Sequence, residues 1–224
     1  MNKYPEVYPK IEPAEDKVFR LAEVIGSQIP FGQQILTSLF IAPVQKRMES
    51  WIHEVEKTLN RLDSEKIIDI AEIVNSDLFQ SIMLQNIQAV SITSQKEKLM
   101  YLHNFVVNSA LGVNVEEDEL YLLNSIIKEF TPSHIKVLQL YHDCEKYGID
   151  ISSINHSNIP DDLRQGRELL DVYKTGDEEY WQSLFTIAQS RRLVTQHSLD
   201  NRLCGSGTTL GRKLLSLIEL EYNS

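Results

Sequence analysis

The last quarter of the chain constrains its fold most. From Asp177 it reads DEEYWQSLFTIAQSRRLVTQHSLDNRLCGSGTTLGRKLLSLIEL. Tyr180, Trp181, Leu184, Phe185 and Ala188 recur at helical spacing and mark one buried face, and Asp177 stands where a side-chain oxygen can cap the first turn. The segment Leu193-Val-Thr-Gln-His-Ser-Leu has the composition of a short strand. Gly205-Ser-Gly207 can form a corner, and Thr208-Thr-Leu-Gly211 leads into a closing apolar helix, RKLLSLIELEY. Upstream, Lys174-Thr-Gly-Asp177 is a tight turn after a weaker helix carrying Leu163, Leu169, Leu170 and Tyr173, which Gly166 disfavours. A short Gly-containing turn between two helices is what a helix-turn-helix needs, and the strand, corner and helix that follow complete a winged version of it.

The rest of the chain is helical in pattern. After an arm broken by prolines (residues 1–13), Val18, Leu21, Ala22 and Ile25 suggest a helix that stops at Gly26, and a second begins at Phe31. Pro43 suits a first helical turn, and Met48, Trp51, Ile52, Val55 and Leu59 form the apolar stripe of the helix after it. Further helices are expected over Ser64 to Val74, Asp77 to Val90, Ser94 to Leu111 and Glu116 to Phe130. Thr131 can cap the next one, Pro132 fits its first position, and IKVLQLYHD is apolar nearly all round, as a buried helix would be. No repeat of fixed length is present. The expected fold is mainly α: a helical bundle or array over 14–130, then a winged helix-turn-helix with a small two-stranded wing over 131–224.

The order of helix, RRLV strand, wing, T-x-x-G and apolar helix over residues 178–220 resembles the ending of MarR-type winged-helix proteins. Thr208 and Gly211 match its threonine and glycine, and Gly207 stands where a leucine is common. The segment HNFVVNSALGVNVEEDELYLLNSIIKEFTPSHIKVLQLYHD also resembles uncharacterised bacterial proteins built as a helical region plus a terminal winged helix, some in anti-phage or mobile-element contexts. The resemblance implies this architecture and a bacterial or phage source, and brings no catalytic residues.

A DNA contact is expected on the polar face of the 178–190 helix. Gln182, Ser183, Thr186 and Gln189 lead there to Arg191 and Arg192, and amides, hydroxyls and arginines are the side chains that read base edges and hold phosphates. Arg202, Arg212 and Lys213 add cations near the wing. Charge limits this reading. The chain carries a net −10, and residues 131–224 hold ten Lys and Arg against thirteen Asp and Glu, whereas residues 181–224 hold five against three. Since phosphate contacts dominate affinity, the alternative is a winged helix that binds a protein partner in a defence or stress-response assembly. The helical half is a candidate for homodimerisation.

No P-loop, dinucleotide fingerprint, H-E-x-x-H, C-x-x-C or G-x-S-x-G motif occurs, so the expectation is a non-enzymatic protein without cofactor. His134 and His142, with Cys144 nearby, are too widely spaced for a usual zinc site. Ile29 to Val44 is the most apolar stretch, but it is short for a span and contains Gln33, Gln34, Thr37 and Ser38. A core or partner helix is expected there, and a membrane-surface contact is the lesser reading. The first residues lack a secretory pattern, so a cytoplasmic location is expected, with Cys144 and Cys204 as free thiols.

Overall fold

The computed structural model describes residues 42–112, 115–150, 164–195 and 206–219. The arm at 1–13, the helix expected near 14–26, most of the 29–44 stretch and Arg202 lie outside these residues. Helices make up 76% of the described part and no strand forms within it. The mainly α class therefore holds. Where two wing strands are expected, the described residues contain one antiparallel bridge, Val194 to Gly207, with Thr195 N donating to Ser206 O at 3.0 Å.

The chain divides into two compact units, Met1–Ser94 and Gln95–Ser224. In the first, α1 (Ala42–Ser64), α2 (Ile70–Asn75) and α3 (Asp77–Ile92) are described. The expected stripe of α1 is its buried face: Met48, Trp51, Ile52, Val55 and Leu59, joined by Leu62. Each such side chain contributes roughly 1.5–3 kcal/mol on leaving water. Across from it, α3 buries Ile82, Ile87, Ala89 and Val90. Arg47 on α1 closes the end of α3, donating from Nε to Val90 O (3.1 Å) and from Nη2 to Ser91 O (2.7 Å). These carbonyls have no partner inside their own helix, and a cation suits the negative end of the helix dipole. Helix α2 is shorter than the expected 64–74. Lys66 takes a left-handed φ of 57°, and Lys66 N and Ile67 N turn back onto Asp63 O and Leu62 O, which ends α1. Asp69 then caps α2 by accepting from Ala71 N at 2.9 Å.

The second unit comprises α4 (Lys96–Ala110), α5 (Glu117–Glu129), α6 (Pro132–His142), α7 (Arg164–Tyr173), α8 (Glu178–Ser190) and α9 (Thr209–Ile218). Its centre is α6, where Ile135, Val137, Leu138, Leu140 and Tyr141 are all fully buried. Helices α8 and α9 pack on α6, α7 packs on α8, and α4 packs on α5 and α9. Phe185 meets Tyr141 with ring centroids 5.1 Å apart, and Tyr173 stacks on Trp181 at 5.0 Å.

The compact units part after Ser94, and buried polar side chains on α4 tie this helix to α5 and α9. Lys98 Nζ donates to Lys128 O at 2.6 Å and also to Phe130 O, closing α5. Asn104 Nδ2 reaches Ile218 O at 2.8 Å, and Asn108 Nδ2 reaches Leu217 O and Glu219 O at 2.8 Å each, closing α9. Helix α4 is thus bound to the chain's last described helix through backbone groups that would otherwise be unsatisfied. Cys144 is disulfide-bonded, where a free thiol is expected from the sequence; the chain's other cysteine, Cys204, lies outside the described residues.

Candidate nucleic-acid interface

Helices α7 and α8 meet at unusually close range because Gly166 has no side chain. A Cβ there would overlap Glu178 O and lie 2.9 Å from Gln182 N. Into this contact Gln182 sends its side-chain oxygen, which accepts from Gly166 N at 2.7 Å. The residue that disfavours the helix on propensity is the one that permits the helix pair. Gly176, at φ 75°, makes the turn between them, Asp177 caps α8 by accepting from Tyr180 N at 2.7 Å, and Trp181 Nε1 donates to Thr175 O at 2.5 Å. With Trp181, Leu184, Phe185 and Ala188 buried, α8 turns Glu179, Tyr180, Ser183, Thr186, Ile187, Ser190 and Arg191 to the surface.

The sequence-derived candidates divide into distinct roles. Gln182 faces α7 and is engaged in the helix pair, and Gln189 is half-buried. Ser183 and Thr186 are exposed, but their hydroxyls donate to Glu179 O and Gln182 O at 2.8 Å, so only their lone pairs face outward. Arg191 forms an ion pair with Glu129 at 2.5 Å, and Lys213 forms one with Glu119 at 2.6 Å. Among the described residues, Arg192 and Arg212 have no ion-pair partner.

The end of α8 and the start of α9 are tied together. Arg192 takes a left-handed φ of 56°, and Arg192 N and Leu193 N close α8 on Gln189 O and Ala188 O. Thr208 then bridges back: its Oγ1 donates to Arg192 O at 2.7 Å, its N donates to Leu193 O at 3.1 Å, and its Oγ1 accepts from Gly211 N at 3.1 Å. This ties the Arg191–Arg192 end of α8 to the first turn of α9, where Arg212 lies and Lys213 follows.

His142 wedges the edge from below. A Cβ at Gly207 would overlap its ring, and one at Gly211 would lie 2.5 Å from its Nε2. Nε2 sits 3.2 Å from Leu193 O; a carbonyl only accepts, so Nε2 carries a proton. Burial holds His142 below its ordinary pKa, the Leu193 carbonyl opposes this, and Arg212 adds to it. On spacing alone this histidine is only a weak metal candidate. Its carbonyl partner lies 51 residues away, and only the small residues at 207 and 211 hint at a close neighbour.

Among the described residues no group of three His, Cys, Asp or Glu is placed to hold a metal, and no helix is long and apolar enough to cross a membrane. The arrangement can offer hydroxyl lone pairs and a cationic edge to a ligand. No family model, curated protein or solved structure matches this chain.

Proposed function

We propose that the chain is a non-enzymatic, winged-helix-like protein that binds duplex DNA through the outer face of α8 and the arginine edge beside it. One observation carries the reading: a helix pair joined by a four-residue turn exposes the second helix, and Thr208 brings the cations of α9 to that helix's C-terminal end. An exposed helix of this width fits a major groove. Ser183 and Thr186 would meet base edges, and Arg191, Arg192, Arg212 and Lys213 would meet phosphates. A homodimer through the N-terminal helices would double the cations presented. A regulatory or defence role in the cytoplasm fits such a protein. Replacing Arg191 and Arg192 by Ala should weaken duplex binding and flatten its salt dependence. Wild-type protein that shows no salt-dependent binding at low ionic strength rules the reading out.

A second reading is favoured by Tyr180 and Ile187, which are 43% and 41% exposed and two turns apart on the same face. There α8 docks a protein partner instead, as aromatic and aliphatic anchors do at interfaces. The discriminating result is a stable complex lost in Tyr180→Ala/Ile187→Ala and indifferent to Arg192→Ala.

A further inference from the structure

Among the described residues, the acidic side chains paired with Arg191 and Lys213 belong to a single helix. Glu129 and Glu119 both lie on α5, 62 and 94 residues in sequence from the cations they hold. Glu129 Oε2 takes Arg191 Nη2 at 2.5 Å, and Glu119 Oε2 takes Lys213 Nζ at 2.6 Å. We infer that α5 acts as an internal competitor for phosphate, with Glu119 and Glu129 occupying the two cations that duplex DNA would need and so restraining its binding. The inference rests on the DNA reading above and specifies how that site is regulated.

The pairs are built so that exchange is easy. All four side chains keep a quarter or more of their surface in solvent, from 26% for Glu119 to 57% for Glu129. Exposed pairs of this kind contribute little to folding. A DNA phosphate can therefore replace a carboxylate without opening the core. Until it does, the pair withholds a cation and leaves a carboxylate where the duplex backbone would run. Withholding two cations from the phosphates lowers affinity by about tenfold at low salt, and each cation released to the duplex adds roughly 0.9 to the steepness of log K against log salt.

The test compares wild-type protein with Glu119→Gln/Glu129→Gln in fluorescence anisotropy titrations against a labelled mixed-sequence duplex, at about 50 and 200 mM salt. Glu65→Gln/Glu72→Gln serves as a charge-matched control, because both residues are exposed and belong to the other compact unit. The single variant Glu119→Gln keeps the test open if loss of Glu129, which also favours the charged form of buried Lys98, unsettles the fold. The α5 variants should bind more tightly, by about tenfold for the double variant, and with a steeper salt slope. The control should keep the wild-type slope, and adding Arg191→Ala/Lys213→Ala to the double variant should abolish the gain. Salt-dependent binding by wild type with no tightening in the α5 variants relative to the control overturns the competitor and leaves the DNA reading standing. Absence of salt-dependent binding by wild type at low salt removes the DNA reading and the competitor with it.

Discussion

Asn108 terminates a helix 109 residues away: its Nδ2 lies 2.8 Å from Leu217 O. The same amide nitrogen donates to Glu219 O at 2.8 Å and approaches Ser216 O at 3.3 Å. The last carbonyls of a helix have no internal partner, and Asn108 is buried beside them, so water does not take its place.

Replacing Asn108 by Leu should therefore cost about 1–3 kcal/mol, the penalty for leaving buried carbonyls unpaired. Urea denaturation of the variant should show a lower midpoint with the slope kept. An unchanged midpoint would mean that α9 does not depend on α4 for its end.

Arg192 is predicted to carry opposite effects on stability and binding. Its φ of 56° disfavours any side chain, so Arg192→Gly should raise stability by up to about 1 kcal/mol. The same change removes a phosphate contact and should weaken duplex binding. A calorimetric melt combined with a DNA titration separates the two effects; a fall in both would assign Arg192 a structural role instead.

Stability should fall in mild acid. Burial depresses the folded pKa of His142, as described above, and that of His134, where Lys98 adds to the effect. The unfolded chain then takes up protons near the ordinary value of about 6.5 while the folded chain resists. The stability these groups contribute is complete above that value and is lost as pH falls below it toward the folded values. Urea midpoints at pH 7.5 and 5.5 should differ in that direction, and His142→Gln should reduce the difference. A midpoint independent of pH contradicts the wedge.

Cys144 should resist alkylation in denaturant until a reductant is added, because it is disulfide-bonded. Intact-mass analysis of alkylated protein reads this directly, and a mass showing alkylation without reduction contradicts it. Such bonds persist in oxidising compartments, so the measurement also bears on the expected cytoplasmic location.

Helix starts are legible in the sequence because their signals are local. Asp177 caps α8 within its own first turn, and Thr131 N meets His134 Nδ1 at 3.1 Å beside the expected Pro132. The stripe of α1 is legible for the same reason, since period alone fixes which side chains share a face. The side chains that close three helix ends are not legible, because they come from elsewhere: Arg47 for α3, Lys98 for α5 and Asn108 for α9. In sequence these look like ordinary polar positions, and their partners lie 30 to 111 residues away. The α8 site shows the same division. Its buried face is readable from spacing, but Gln182 reads as outward-facing because nothing local reveals that Gly166 presses against it. The pairing of Arg191 and Lys213 with α5 is hidden likewise.

The central claim, that the α8 edge contacts duplex DNA, is tested most directly by the salt dependence of binding to a mixed-sequence duplex. With Arg192 and Arg212 in no ion pair among the described residues and Arg191 and Lys213 held by α5, log K should fall against log salt with a slope of about −2. The slope should flatten by roughly one unit in Arg192→Ala. Binding that is absent at low salt, or a slope indifferent to that substitution, contradicts the account.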